Sequence, residues 1–300
     1  MKGIALSEGT SLENKPIRIF VNPYSGNGQG AEFVHQIKEY NPIITDPNQL
    51  LKQVQQHITP GDIVVVAGGD GTVSQLIEAL FITDLIEEVN LALIPFGTGN
   101  DLVRSIGVDP DTAPYEILKS IHNGTRHSVT VPVWKFGGVY FINYVGIGID
   151  GAILQTTDRL RKIFPVNLAL IKTLFFLSGL RHFGYRIRSN VHLSVENNIL
   201  PLLNKAGVII SNIGYYSGGC SIGSQQVTEA EHVSITVLDS IWSYIYLVWG
   251  RINPKRKVPA YFTSERVTIQ GEPLPVQIDG EVGEFRSAPI HLAGRVNILR

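Results

Sequence analysis

The chain has 300 residues, 44% of them hydrophobic and 17% charged, with 25 Lys+Arg against 26 Asp+Glu. That apolar share can bury a core, so disorder is excluded as the main state, and the length suits two domains better than one. A single cysteine, Cys220, excludes an intramolecular disulfide and a Cys-rich zinc site.

The first fifteen residues, MKGIALSEGTSLENK, hold no apolar core for a signal peptide. The longest apolar stretches, Leu168–Leu180 and Ile241–Gly250, are short of the ~20 residues that span a bilayer. The chain therefore reads as soluble, with a cytoplasmic location expected. The near-zero net charge hides an asymmetry. Residues 1–128 carry 8 Lys+Arg and 15 Asp+Glu, whereas residues 129–300 carry 17 and 11. Either this is ordinary scatter between two domains, or the second half faces something anionic.

The first half repeats one pattern: apolar strand, Gly-rich turn, amphipathic helix. Ile17–Val21 leads into NPYSGNGQG and a helical stretch near Ala31–Tyr40. Ile63–Ala67 leads into GGDGT, then Val73, Leu76, Ile77 and Leu80, whose i, i+3, i+4, i+7 spacing puts four apolar side chains on one helix face. Leu91–Pro95 leads into FGTGND and another helical start. Continuous apolar strands alternating with helices predict a parallel sheet covered on both faces, with ligands beyond the carboxyl ends of its strands. All three Gly-rich turns sit at those ends.

After about residue 128 the rhythm shortens. Runs at Ser128–Trp134, Val139–Val145, Arg186–Val195, Gly207–Ser211, Val233–Leu238, Arg266–Ile269 and Val276–Ile278 predict a mainly antiparallel β domain. Helical stretches near 158–182 and 240–250 interrupt it. A last run, Ile290–Leu299, is a candidate to return to the first domain.

Gly68-Gly69-Asp70-Gly71-Thr72 follows a buried strand and opens a helix. Glycines let backbone N–H groups approach an anion, and a helix N-terminus adds partial positive charge. A carboxylate there would repel phosphate unless it orients the turn or holds Mg²⁺ against the phosphates, and it could equally cap the helix. Asn22-Pro23-Tyr24-Ser25-Gly26 could cradle phosphate, or be an ordinary turn. Gly97-Thr98-Gly99-Asn100-Asp101 is open in the same way. Three such loops on neighbouring strand ends argue for one nucleotide site. SGNGQG lacks the dinucleotide spacing, there is no G-K-[ST] loop and no HExxH, and Gly214-Tyr-Tyr-Ser217-Gly218 is not a G-x-S-x-G elbow.

In the second half, Ile278-Asp279-Gly280-Glu281 puts two carboxylates around a glycine. A base and a metal ligand would suit phosphoryl transfer, but on spacing alone Asp-Gly reads as a hairpin turn. Arg251, Lys255, Arg256 and Lys257 cluster beside the aromatic segment Trp242–Trp249, either as a solvated loop or as a membrane contact. Arg159–Lys162 and Arg181–Arg188 are the other basic stretches that could serve as a docking face.

The ordered NPxSG, GGDGT and PxGTxND loops, with a late DGE, resemble the diacylglycerol kinase catalytic-domain family. Phe141-Ile142-Asn143, Gly146–Asp150 and the Gly-rich Gly214–Gly219 are similar to family segments as well, and the likeness runs over roughly 16–300. The resemblance implies an α/β N-terminal domain of NAD kinase/phosphofructokinase type with a parallel sheet, at 1–128. A mainly antiparallel β lipid-substrate domain would follow at 129–289, with 290–300 returning to the first. ATP would lie between them, on Asn22, Pro23, Tyr24, Ser25, Gly26, Thr45, Gly68, Gly69, Asp70, Gly71, Thr72, Gln75, Gly97, Thr98, Asn100 and Asp101. Asp279 would be the general base on a lipid hydroxyl, with Glu281 beside it. Asp70 and Asp101 would organise Mg²⁺ or the phosphate loops.

The resemblance further implies a lipid substrate met at the membrane surface by a peripherally attached enzyme, with no nucleic-acid partner and a homodimer left open. The expected product is a phosphorylated diacylglycerol or related lipid. Two departures stand out. Gln75 replaces the family's Glu three residues after the GGDGT Thr, and an amide cannot supply the negative charge that an ion pair there would use. Glu229-Ala-Glu231-His232-Val233 replaces the acidic turn that holds a second, structural Mg²⁺ in some bacterial members. The rival readings are a kinase of a soluble substrate such as NAD, and a nucleotide- or lipid-binding protein without catalysis.

Overall fold

The computed structural model describes residues 15–97, 99–163, 168–196, 198–222, 232–249, 261–263, 267–285 and 287–300. In chain order the first half runs β1 (Ile17–Val21), α1 (Gln29–Gln36), β2 (Ile43–Ile44), α2 (Leu50–His57), β3 (Ile63–Gly68), α3 (Asp70–Ile82), β4 (Asn90–Pro95), α4 (Asp101–Ser105) and α5 (Pro114–His122). Strands β2, β1, β3 and β4 lie side by side and parallel.

Strand β3 shows why a continuous apolar run belongs at the centre of such a sheet. Val64 and Val66 face one way, onto Leu50 and Val54 of α2 and Leu76, Ile77 and Leu80 of α3. Val65 and Ala67 face the other way, onto Phe33 of α1 and Ile117 and Ile121 of α5. Both faces are covered, so every residue of the strand is buried. Each such aliphatic side chain contributes about 1.5–3 kcal/mol by leaving water.

The second half runs β5 (Ser128–Phe136), β6 (Val139–Phe141), β7 (Tyr144–Gly148), α6 (Ile149–Ile163), α7 (Leu168–Arg181), β8 (His192–Val195), β9 (Asn198–Pro201), β10 (Gly207–Ser211), β11 (Tyr215–Tyr216), β12 (Cys220–Ser221), β13 (Val233–Leu238), α8 (Ile241–Trp249), β14 (Tyr261–Thr263), β15 (Val267–Gln270), β16 (Leu274–Ile278), β17 (Glu281–Phe285) and β18 (Ala288–Leu299). An antiparallel sheet has the order β14-β13-β10-β7-β16-β17. The architecture is therefore an α/β unit with a parallel sheet followed by an antiparallel β unit. Strand β18 carries the parallel sheet on into the second half, so that one ten-stranded mixed sheet runs β2-β1-β3-β4-β18-β15-β8-β9 with β5 and β6 beside it. The last residues of β18 pair parallel with β4, Ile290 to Leu299 pair antiparallel with β5, and its start pairs with β15.

Several elements differ from the sequence expectation. The run Val139–Val145 is two strands, because the backbone N–H groups of Ile142, Asn143 and Tyr144 leave the ladder and point at the Asp279 carboxylate. The run from Arg186 is a strand only from His192, since Ser189 and Asn190 turn the chain and the Ser189 carbonyl accepts from Val191 N–H. The helical stretch near 158–182 starts nine residues earlier than expected, at Ile149, and is two helices. The helix expected over Ala31–Tyr40 is α1 followed by a short 3-10 turn at Lys38–Tyr40.

Candidate active site

The three Gly-rich turns meet at the carboxyl ends of β1, β3 and β4. Gly69 and Gly97 approach so closely that a Cβ on Gly97 would lie 2.9 Å from Gly69 Cα. Two bare backbones can touch there and two side chains cannot. Asn22 Nδ2 donates to Thr72 Oγ1 at 2.9 Å, which ties the β1 loop to the first turn of α3. Asn22 Oδ1 accepts from Tyr24 N–H at 3.0 Å, and Ser25 Oγ donates to the Asn22 carbonyl at 2.7 Å. Asn100, in the left-handed region at φ 53°, spans its own loop, with Oδ1 accepting from Gly97 N–H and Nδ2 donating to the Gly97 carbonyl.

Between these loops lies an open cleft of about 340 Å³. Of the residues expected at ATP, it is lined by Asn22, Ser25, Gly26, Gly69, Gly71, Thr72, Gln75 and Gly97. Pro47 and Phe96 line it as well and carried no sequence signal. Pro23, Tyr24, Thr45, Gly68, Asp70, Asn100 and Asp101 stand outside its lining. Tyr24 is 90% exposed, and the Thr45 hydroxyl turns inward to the Val21 carbonyl. Thr98 lies outside the described residues, as do Arg251, Lys255, Arg256, Lys257 and segment 229–231.

Three carboxylates gather beside the cleft. Asp70 opens α3, and its Oδ2 accepts from Asn100 N–H at 2.9 Å. Asp101 opens α4, and its two oxygens accept from Gly218 and Gly219 N–H at 2.9 and 2.7 Å. The Gly-rich segment near 214–219 thus serves as a donor pair for Asp101. Asp279 comes from the other sheet. Burial lifts the Asp70 carboxyl from 3.8 to about 7, with the charges of Asp101 and then Asp279 adding to the effect and backbone N–H bonds opposing it.

Asp279 and Gly280 are the two central residues of the β16–β17 hairpin, with φ of 46° and 92°. Positive φ at both positions is the turn that Asp-Gly favours. The hairpin and the site are therefore one feature. The turn lifts the carboxylate onto four donors: Oδ1 accepts from Asn143 and Tyr144 N–H at 3.0 and 2.9 Å, and Oδ2 from Ile142 N–H at 2.9 Å and Ser74 Oγ at 2.7 Å. Burial raises its pKa, and the four donors oppose that rise. Glu281 is exposed at the start of β17, opposite Ile278. The bond from Ser74 to Asp279 was not anticipated. Nor was Arg104, which stands beside Gly99 and Gly219 and puts a cation next to the cluster.

A second buried carboxylate supports this turn. Asp150 Oδ1 accepts from Tyr216 and Tyr244 hydroxyls at 2.5 and 3.1 Å, and Oδ2 from Gln277 Nε2 at 2.9 Å. Gln277 Oε1 in turn accepts from Gly280 N–H at 2.9 Å. Burial raises the pKa of Asp150 and of both tyrosines.

Whether Mg²⁺ fits here is a question of donor chemistry. Mg²⁺ takes hard oxygen ligands and is usually held by one or two carboxylates plus substrate phosphates. Asp70 suits that mode, since a carboxyl pushed to about 7 by burial, with neighbouring negative charge adding to the effect, gains from a cation. The oxygens of Asp101 and Asp279 already face backbone donors. Among the described residues, no group of three His, Cys, Asp or Glu forms a ready-made metal cage, and no helix is long and apolar enough to cross a membrane.

Known proteins agree with the geometry. Residues 16–133 match the diacylglycerol kinase catalytic domain, and residues 140–282 match the diacylglycerol kinase accessory domain. Diacylglycerol kinase 1 of Arabidopsis thaliana is 24% identical over 89% of this chain and 42% of its own length. Diacylglycerol kinase theta of Homo sapiens is 27% identical over 95% of this chain and 35% of its own. The chain thus spans well under half the length of these two relatives. A solved structure of a diacylglycerol kinase from Bacillus anthracis str. Sterne superimposes with TM-score 0.64 at 20% identity, over 95% of this chain and 96% of that one. Another chain from the same organism reaches TM-score 0.70 at 21% identity. With both domains matched in order, and the three loops and the late Asp-Gly turn converging on one cleft, the chain belongs to the diacylglycerol kinase catalytic-domain family.

Proposed function

We propose that the chain is an ATP- and Mg²⁺-dependent kinase that phosphorylates the hydroxyl of diacylglycerol or a related lipid, working peripherally at a membrane. The observation that carries this reading is the placement of Asp279. A residue from the second sheet sits at the loops of the first, hydrogen-bonded to Ser74 of α3. When bound, ATP supplies the phosphoryl group and Mg²⁺ neutralises charge on it.

The roles of the chain's own residues follow from chemistry. Asn22, Ser25, Gly26, Gly69, Gly71 and Gly97 offer loop backbone and small polar groups to the phosphates. Asp70 would hold the metal, and Arg104 would offset charge near Gly99. Asp279 would take the proton of the lipid hydroxyl. Its four acceptor directions are filled, so a substrate hydroxyl must displace a donor, and Ser74 is the one donor that can rotate away without moving backbone. Burial raises its pKa, and so brings the carboxylate closer to the basicity that proton transfer needs at neutral pH.

A second reading, nucleotide binding without transfer, has Gln75 in its favour, because that amide lines the cleft where the family places Glu. The test is phosphate transfer from ATP to diacylglycerol in mixed micelles, run beside NAD in solution. Phosphorylated lipid supports the proposal. Phosphorylated NAD, or ATP binding with no transfer to either, replaces it.

A further inference from the structure

The outer face of α7 is apolar, exposed and bordered by cations. On the helix's inner side Leu174 and Ser178 are buried, and Ser178 ties it to α6 by accepting from Thr157 Oγ1 at 3.0 Å. On the outer side, Phe176 is 66% exposed, Leu180 53% and Phe183 50%. Phe176 and Leu180, at i and i+4, share one face of the helix, and Phe183 follows in the turn just after Arg181. Trp242, 64% exposed, joins them there, its ring 5.6 Å from Phe183 and edge-on to it. Isolated exposed apolar residues are ordinary, but a contiguous aromatic patch marks a surface that meets another apolar phase.

Charge identifies that phase. From residue 159 to 195 the chain carries seven Lys or Arg and no Asp or Glu. Arg159, Arg161, Lys162, Arg181, Arg186 and Arg188 are all exposed. A protein partner would need one dense acidic patch to match them, whereas an anionic bilayer presents such charge everywhere and accepts aromatic rings at its boundary.

Position supports the same choice. Helix α7 folds back along α6, with His182 Nε2 2.8 Å from Thr156 Oγ1. Thr156 lies six residues, about 9 Å of helix axis, from Asp150, which is tied through Gln277 to the Asp279 turn. A surface docked there would hold lipid next to the half of the site that supplies Asp279.

We propose that the outer face of α7, with Trp242 at its end, docks on an anionic lipid bilayer, its rings in the headgroup–acyl boundary and the flanking arginines on anionic headgroups. The inference deepens the lipid-kinase reading and rests on it for the identity of the surface.

The experiment is co-sedimentation with phosphatidylcholine vesicles, with and without phosphatidylserine, in the absence of ATP and diacylglycerol. The full chain is compared with Phe176→Ser/Phe183→Ser and with Arg181→Glu/Arg186→Glu, and thermal unfolding verifies that each variant folds. Wild type is expected to pellet with phosphatidylserine vesicles, and each double variant to bind about tenfold more weakly or less. High salt should release wild type, since such attraction is screened over ~10 Å. Equal pelleting of wild type and both variants, or no pelleting of wild type, overturns the proposal. So does a wild-type dimer in sedimentation velocity that the Phe variant dissociates, because the face would then meet a second copy. Binding is read without turnover, so a failed kinase assay in micelles and a failed docking face remain separate results.

Discussion

Ser74 Oγ donates a 2.7 Å hydrogen bond to Asp279 Oδ2 across 205 positions of sequence, and it joins the first turns of α3 to the hairpin of the second sheet. A donor to a carboxylate stabilises its charged form. Ser74→Ala should therefore raise the Asp279 pKa further above its ordinary value and move the acidic limb of the pH–rate profile to higher pH. Turnover above that limb should stay within about tenfold of wild type, because the substrate hydroxyl replaces Ser74 at that oxygen. Loss of turnover at all pH values, with the limb unmoved, would make Ser74 a structural tie only.

Asp70 gives a stability prediction that needs no ligand. Its folded value of about 7 exceeds the ordinary 3.8, so between those values the folded state binds a proton that the unfolded state releases. The apoprotein should lose stability as pH rises from about 4 to 7, then level off with respect to this group. Asp70→Asn removes the buried charge. It should be more stable than wild type by about 2 kcal/mol or more at pH 8, with the gap closing on acidification. Denaturant titrations at several pH values, in EDTA, measure this. A variant less stable than wild type at pH 8 contradicts the electrostatic account.

Gly69→Val tests the cleft. A Cβ at Gly69 would come within 3.2 Å of Gly97 Cα, and the branches of valine would fill the space between the loops. Gly69 sits at φ −95°, so the backbone itself tolerates a side chain. The variant should fold and lose ATP affinity by about 100-fold or more in calorimetry. Unchanged ATP binding would place the nucleotide elsewhere.

Gly146 and Asp150 form a packed pair: a Cβ on Gly146 would collide with Asp150 Oδ2. Gly146→Ala should cost about 2 kcal/mol or more. Combined with Asp150→Gly it should cost much less than the two single changes added, a coupling that a double-mutant cycle reads. Additive losses would show that the collision relaxes elsewhere.

The sequence revealed the loops and concealed their partners. The turns after β1, β3 and β4 were legible because each interrupts a continuous apolar strand, a local signal. Asp279 was legible as an Asp-Gly turn and, by resemblance, as a site residue. Its donors were not, since the Ile142 and Asn143 bonds span 137 and 136 positions and use backbone N–H groups that any residue carries. The same holds for Gly218 and Gly219 with Asp101, while the side-chain donors Tyr216, Tyr244 and Gln277 reach Asp150 across 66, 94 and 127 positions. Helix α7 looked apolar all round, and only its packing on α6 shows which side stays exposed. Short strands such as β11 and β12, two residues each, carry too few residues for an alternation to register.

The most direct measurement is transfer of radiolabelled phosphate from ATP to a total lipid extract by wild type and Asp279→Asn, with the labelled product identified by mass spectrometry. The account predicts a labelled diacylglycerol-type product from wild type. It predicts at least a ~100-fold lower kcat in the variant, with ATP affinity within a few-fold, because Asn keeps the shape and loses the proton acceptor. An Asp279→Asn chain that retains more than about a tenth of wild-type turnover would contradict it.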